Sequence, residues 1–298
     1  MADYPFVLAD VFAEAIFGGN QLAVFPDARG LSADTMQRLA REFNFSESCF
    51  VLPAEDARCD HRLRIFAPSA ELPFAGHPTV GAAAVLAHLG VLAPTGAGGP
   101  VFLEEGVGPV EVNVLGREGD RIHARLTIKR ALERRGPPPP PAAIAEVLGL
   151  PAAEIEDCWL ASAGATFCHV HLTSREAVDR AALDRKAWST HLAGSWASSL
   201  FILAGKLEPG GVVYARMFAP EDGVEEDPAT GSACASLVGT LAERAGAGRD
   251  AVTITVEQGV ALGRPSRIHG EAKQVEAGLE ISVSGWTIVV GSGTIRLP

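Results

Sequence analysis

Paired cysteines, positive charge and long apolar runs are all scarce in this 298-residue chain. The five cysteines (Cys49, Cys59, Cys158, Cys168, Cys234) are odd in number and none is spaced C-x-x-C. That argues against a disulfide frame or a zinc site and for reduced thiols in a cytoplasmic protein. Lysine and arginine number 25 against 36 acidic residues, a formal net charge of -11. Nucleic acid and anionic membrane surfaces are therefore excluded as main partners. A small anionic substrate is not, because donors inside a pocket decide its binding. No run of 18 apolar residues occurs, and the opening MADYPFVLADVF has no basic segment, so neither a membrane span nor a signal peptide is expected.

What is present is apolar mass: 47% hydrophobic and 20% charged residues, enough for one large or two ordinary domains. A repeat organises it. RIFAPSAELPFAGHPTVGAAAVLAHL begins at Arg64, and RMFAPEDGVEEDPATGSACASLVGTL begins at Arg216. Each copy opens R-(I/M)-F-A-P, crosses a polar loop and a Gly-containing turn, and enters a run of small residues. A period this long signals duplication of a whole domain. GREGD at 116–120 interrupts strand-like text, which sets a first domain at 1–117 and a second at 118–298. The last strand, about 286–298, is free to return to the first. The GPPPPP run at 136–141 is a rigid connector.

Strand signals fall at 5–11, 49–53, 61–67, 110–114, 121–128, 169–173, 200–204, 212–218, 252–257, 279–283 and 287–290. Segments 79–89 and 230–242 have helical length and almost no charge on any face, so each is a helix buried on all sides. Ser32–Phe43, with Ser32 as N-cap, and Pro141–Leu148 are outer helices. The simplest architecture is α+β, a sheet curled around a central helix and built twice.

Both buried helices start after a Gly-containing turn, where first-turn N–H groups lack acceptors and the dipole adds positive charge. Such ends suit an anion or a developing oxyanion, or they are plain helix starts capped by Thr79 and by Thr230 or Ser232. His77 falls in the loop before the first helix, and Asp227-Pro228 takes the corresponding place in the second copy. A solvated acidic loop suits Glu225 and Glu226 better than Asp227, which abuts the helix. Glu47 leads directly into the apolar CFVL; partial burial there raises a carboxyl toward the pKa a general acid/base needs, and a turn role beside Ser46 and Ser48 is the alternative. Asn20, flanked by glycines, is either a ligand contact or a turn residue.

DVFAEAIFGGNQLAVF (10–25), REFNFSESCFVLP (41–53), the two repeated phrases and EQGVALGRPSRI (257–268) resemble, in order and over nearly the whole chain, the PhzF-like phenazine-biosynthesis proteins of diaminopimelate epimerase-like fold. The resemblance implies two pseudo-symmetric domains, each a barrel-like, mostly antiparallel sheet around a central helix, with the active site in the cleft between them, and a homodimer. It implies Glu47, His77 and Asp227 as catalytic residues, and Asn20, Gly76, Gly231 and Ser232 as substrate contacts. The implied reaction is a proton shift, free of any cofactor or metal, on a small cyclic or unsaturated carboxylic acid. An epimerase or dehydratase using the same base, and a non-catalytic metabolite-binding protein, are the alternatives. Racemase relatives use two cysteines at the helix starts. Ala75 and Pro228 stand at about those places, and Cys49 and Cys234 read as core.

Overall fold

The computed structural model describes residues 2–93, 99–246, 251–276 and 278–297. It divides into two compact units, Met1–Ile128 with Val283–Pro298, and Lys129–Ser282. In chain order the elements of the first part are β1 (Ala2–Val11), β2 (Asn20–Phe25), α1 (Ala33–Phe43), β3 (Glu47–Pro53), β4 (His61–Phe66), β5 (Glu71–Leu72), α2 (Gly76–His88), β6 (Val101–Glu105), β7 (Gly108–Glu118) and β8 (Arg121–Arg130). There follow α3 (Pro141–Leu148), β9 (Ile155–Ser162), β10 (Thr166–Leu172), α4 (Arg175–Arg180), α5 (Arg185–His191), β11 (Leu200–Gly205), β12 (Gly211–Ala219) and β13 (Val224–Asp227). The chain ends with α6 (Gly231–Ala245), β14 (Val252–Gln258), β15 (Ser266–Val275) and β16 (Gly278–Leu297). The class is α+β.

In the first unit the strands run β1-β2-β3-β4-β6-β7-β8-β16, and β16 pairs back onto β1, from Ala2 opposite Leu297 to Val11 opposite Thr287. Eight strands thus close into a barrel without an open edge. Inside it lies α2, with Gly76 to Leu86 all buried against β1, β2, β3 and β7. A small-residue helix is needed because a sheet this tightly curled leaves little room. A Cβ on Gly81 would stand 2.5 Å from the side chains of Leu22 and Val11. Outside, α1 is capped by Ser32, whose hydroxyl accepts from the Thr35 N–H, and covers Phe25, Phe50 and Phe66.

The second unit repeats this layout with the order β16-β15-β14-β12-β11-β10-β9. Helix α6 is buried along its length against β15, β14, β9 and β10. Helices α3, α4 and α5 cover the other sheet face, over Val170, Leu172, Leu200 and Ile202. Pro140 is extended and Pro141 opens α3, where a missing N–H costs nothing.

The structure shows what the repeated phrase builds. Arg64 donates through Nε and Nη2 to both oxygens of Glu71, each at 2.6 Å, and lies over the Phe66 ring at 5.1 Å. Arg216 donates likewise to Glu226 at 2.9 and 2.8 Å and lies over Phe218 at 5.0 Å. In each copy the arginine ties down a short strand that pairs with its own, β5 on β4 and β13 on β12, and that leads into the buried helix. Glu226 is therefore not a solvated loop residue: its side chain is only 11% exposed, because Arg216 claims it. Glu225 does sit at the surface, paired with Arg185.

Other expectations shift. Helix α2 starts at Gly76, so His77 belongs to its first turn rather than to a preceding loop. GREGD is the tip of the β7–β8 hairpin. Segments 279–283 and 287–290 are one strand, β16, running through Ser284 and Gly285. Strands β2, β5, β6, β9, β13 and β15 fall outside the strand segments read from sequence. In β2 the glycines ahead of Asn20 masked the strand start, and the polar β15 owes its place to Gly270, which lets α6 approach closely: a Cβ there would be 2.8 Å from Cys234 Sγ. Among the described residues, no helix is long and apolar enough to cross a membrane.

Candidate active site

Parallel strands β2 and β3 place Leu22 opposite Glu47, so Asn20 and Glu47, each the first residue of its strand, lie at one end of the barrel. Helix α2 begins at that end. His77, buried on its first turn, has Nε2 3.4 Å from Glu47 Oε2, and its Nδ1 is 3.2 Å from Asn20 Nδ2. The Asn20 Oδ1 in turn accepts from the Ser46 hydroxyl at 3.5 Å. The Asn20 amide and the Gln21 backbone, which also bonds the ring, hold the imidazole in place. Burial pulls the His77 pKa down to about 3, offset in part by the Gln21 backbone, so the imidazole is neutral at ordinary pH. The Glu47–His77 approach is therefore not an ion pair. It sets the Glu47 carboxyl, 17% exposed, 3.4 Å from a nitrogen of a neutral imidazole, a spacing that a bound substrate can tighten.

The second set surrounds the start of α6. The buried Asp227 ends β13, and its Oδ2 accepts from the Thr230 hydroxyl at 2.6 Å. Gln258, fully buried at the end of β14, donates to the Asp227 carbonyl at 2.7 Å and to Thr230 Oγ1 at 2.9 Å, and its Oε1 accepts from the Thr230 N–H at 3.1 Å. The network ties the Asp227 carbonyl to Gln258 and its Oδ2 to the Thr230 hydroxyl. Gly231 is buried on the first turn of α6 and Ser232 is partly exposed beside it. Gly259, at φ 75°, passes so close that a Cβ would meet the carbonyl oxygens of Arg264 at 2.4 Å and Pro228 at 2.5 Å. Only glycine fits there.

The candidates thus fall into two groups: Asn20, Glu47, Gly76 and His77 in the first unit, Asp227, Gly231 and Ser232 in the second. Neither helix start has a side-chain cap. Thr79 bonds the Ala75 carbonyl four residues back, and Thr230 turns its hydroxyl to Asp227, so the plainer capping role fails for both. Gln258 and Glu105 are missed from sequence, and Thr230 is read there only as a cap. Gln258 stands within the quoted EQGVALGRPSRI and could have been singled out as a buried amide beside a required glycine. Glu105, buried at the end of β6, stands with Oε1 2.7 Å from Thr79 Oγ1; burial raises its pKa to about 8. Cys49 and Cys234 are both fully buried; desolvation, with Glu105 and Glu47 nearby, raises Cys49 well above the ordinary thiol value, and desolvation lifts Cys234 to about 12.

A second buried imidazole, His169, has Nε2 2.8 Å from Ser236 Oγ, stacks on Trp159, and is held down to about 3, mainly by burial. The sign of its pH effect, and that of His77, follows from proton counting. Between pH 6.5 and 3 the unfolded chain binds protons that these two imidazoles refuse in the fold, so stability rises with pH across that window and is lost as pH falls. Glu105 acts in the opposite sense from about pH 4.5 to 8, one group against two. The denaturation midpoint should therefore fall measurably between pH 6.5 and 5, before ordinary carboxylates titrate. A midpoint flat over that range in urea titrations would show that the two imidazoles protonate freely in the fold.

Residues 9–293 match the phenazine biosynthesis-like protein family. An uncharacterised isomerase of Mesorhizobium japonicum is 37% identical over 94% of this chain and 91% of its own length. The trans-2,3-dihydro-3-hydroxyanthranilate isomerase of Pseudomonas chlororaphis is 36% identical over 99% of this chain and all of its own. A crystal structure of a PhzF-family phenazine biosynthesis protein from Bacillus anthracis superposes over the full length of both chains with a TM-score of 0.87 at 21% identity, which shows the shared fold. With the whole chain matched, the fold shared and close relatives named isomerases, this protein belongs to the phenazine biosynthesis-like family and is an isomerase.

Proposed function

We propose that the chain moves a proton on a small cyclic or unsaturated carboxylic acid, without a cofactor, using Glu47 as general acid/base. The observation that carries this reading is the Glu47 carboxylate held 3.4 Å from Nε2 of the neutral His77 imidazole, beside the uncapped start of α2. Shifting a proton near a carboxylate needs a base, a partner that handles or steadies the moving proton, and donors for charge that builds on the acid. Glu47 is the base, His77 steadies it, and Asn20 fixes the imidazole. Asp227, aimed by Thr230 and Gln258, handles the returning proton. The N–H of Gly76 at the start of α2 donates to the substrate's carboxylate, and the family resemblance adds Gly231 and Ser232 as substrate contacts. The substrate class is that named for the P. chlororaphis relative, a hydroxylated cyclohexadiene amino acid.

The test is incubation with trans-2,3-dihydro-3-hydroxyanthranilate in deuterium oxide, followed by NMR and mass spectrometry. A product isomer without loss of water, carrying or exchanging solvent deuterium at ring carbon, is expected. Neither turnover nor exchange with this acid or its close analogues would sink the reading. Loss of water or inversion alone would replace the isomerisation by dehydration or epimerisation on the same base.

A two-thiol racemase mechanism is disfavoured by the same geometry. Ala75 caps α2, Pro228 precedes α6, and both nearby thiols are buried and hard to ionise. Cys49→Ala and Cys234→Ala should each keep turnover within several-fold of wild type, with a packing loss of about 1–2 kcal/mol in stability. An inactive but folded Cys49→Ala protein would name a different base. The proposal also includes a cytoplasmic homodimer, checked by light scattering of the purified protein.

A further inference from the structure

Thr79 carries a problem in proton counting. Its Oγ1 lies 2.7 Å from the Ala75 carbonyl oxygen and 2.7 Å from Glu105 Oε1. A threonine hydroxyl has one proton and a carbonyl can only accept, so the proton goes to Ala75, the usual bond of a helical threonine to the carbonyl four residues back. The carboxyl oxygen at 2.7 Å must then bring a proton of its own. Two bare oxygens at that distance would repel. The opposite assignment holds at Asp227, where Gln258 donates to Thr230 Oγ1 and leaves the threonine's proton for the carboxylate.

We propose that Glu105 is held as a neutral carboxylic acid that donates to Thr79, and that the relay Glu105–Thr79–Ala75 carbonyl is a positioning device for the first turn of α2.

The surroundings agree. Glu105 is buried, and its Oε2 has no hydrogen-bond partner among the described residues, a state tolerable for the carbonyl oxygen of an acid and costly for a carboxylate. The groups beside it offer no cation: Thr79 comes from α2 and Cys49 from β3. Arg62 and Arg64 of β4 line the same groove, but Arg62 is engaged by Glu55 and Arg64 by Glu71 of β5, and Glu104 adds another acid from β6 itself. Burial raises the Glu105 pKa to about 8, so the acid form persists at neutral pH and ionises at mildly alkaline pH. Ionisation would remove the donor to Thr79 and put a bare charge beneath the turn that carries Gly76 and His77. That this matters to turnover rests on the function proposed above; the protonation state does not.

The direct test is a carbon-13 NMR titration of the whole protein labelled at glutamate side-chain carboxyls. One carboxyl should remain protonated at pH 7, titrate near pH 8, and vanish in Glu105→Gln. Complete ionisation of every glutamate by pH 6 overturns the proposal. Should Glu105→Gln not fold, hydrogen exchange of the wild-type Thr79 and Val80 amides serves instead. Corrected for intrinsic rate, their protection should fall across pH 8, and unchanged protection to pH 9 overturns the proposal. The kinetic test uses trans-2,3-dihydro-3-hydroxyanthranilate. Wild type should lose kcat above about pH 8, whereas Glu105→Gln, whose amide also donates to Thr79, should keep wild-type kcat at pH 7 and lack that alkaline loss. Glu105→Ala should lose kcat at both pH values. Glu105→Gln as impaired as Glu105→Ala overturns the positioning role. If no variant turns this acid over, the function proposed above fails, and the titration still decides the state of Glu105.

Discussion

Glu47→Gln is expected to lower kcat by ~10²–10⁴-fold, the usual worth of a positioned general acid/base, and to leave ligand affinity within a few-fold. Glutamine keeps the volume of the side chain and can still meet His77 Nε2 through its amide, whose oxygen accepts and whose nitrogen donates, so the neighbours at 3.4 Å need not rearrange. What it loses is the oxygen able to take a carbon-bound proton. Because Glu47 opens β3 and its side chain is partly exposed, the variant should also melt close to wild type. Turnover can be followed on trans-2,3-dihydro-3-hydroxyanthranilate, and affinity by calorimetry with a non-reacting analogue. The paired measurement separates the proposed role from a structural one: a base lowers kcat alone, whereas a support residue lowers binding or stability with it. A Glu47→Gln enzyme retaining a tenth or more of wild-type kcat would remove Glu47 from proton transfer.

The second large effect concerns stability and the repeated arginine. Arg216 makes a two-pronged pair with Glu226, with side chains 12% and 11% exposed, and also donates to the carbonyls of Val178 and Ala181 at 3.1 and 2.7 Å. Arg216→Met fills the aliphatic volume but strands Glu226 and two carbonyl acceptors in a half-buried place. Breaking one side of such a pair costs about 3–5 kcal/mol when fully buried, and about 3 kcal/mol is expected here. The matching Arg64 pair exposes 42% of Glu71 to water, which can solvate the orphaned acid, so Arg64→Met should cost about 1 kcal/mol or less. Urea unfolding of the two variants side by side measures the difference. Equal losses would mean that the two copies carry the same load despite their different burial. Arg216→Met with Glu226→Leu should recover most of the loss, since an unpaired charge rather than a missing contact causes it.

The sequence was most informative where a physical demand was local. Small, uncharged residues over a dozen positions announced α2 and α6 as buried helices, because nothing else tolerates such text. Ser32 announced the start of α1 through its cap. Glu47 and His77 could be singled out as polar residues against apolar elements, and the structure sets them 3.4 Å apart. What stayed hidden depended on distant partners. Glu226 looked solvated until Arg216 was seen beside it. Nothing in VFLEEG distinguishes Glu105 from Glu104; pleat alternation along β6 and the position of Thr79 decide which is buried. Gln258 carries no charge and no motif strong enough to mark it, although it satisfies three polar groups around Asp227. Strand ends and bridged strands such as β16 were illegible because glycine reads as a break where the sheet in fact continues.

The pairing of β1 with β16 bears on how the molecule is made. Residues 2–11 leave the ribosome long before their partners at 287–297, so the barrel that holds Glu47 and His77 cannot close until β16 has been made. Throughout that interval one edge of β1 stays open to wrong partners, while residues 129–282 already have most of their strands at hand. The unit that contains β1 therefore closes only after residues 129–282 have been made. Closing it requires a contact across almost the entire length of the chain, which should make it the slow, chaperone-sensitive step of folding.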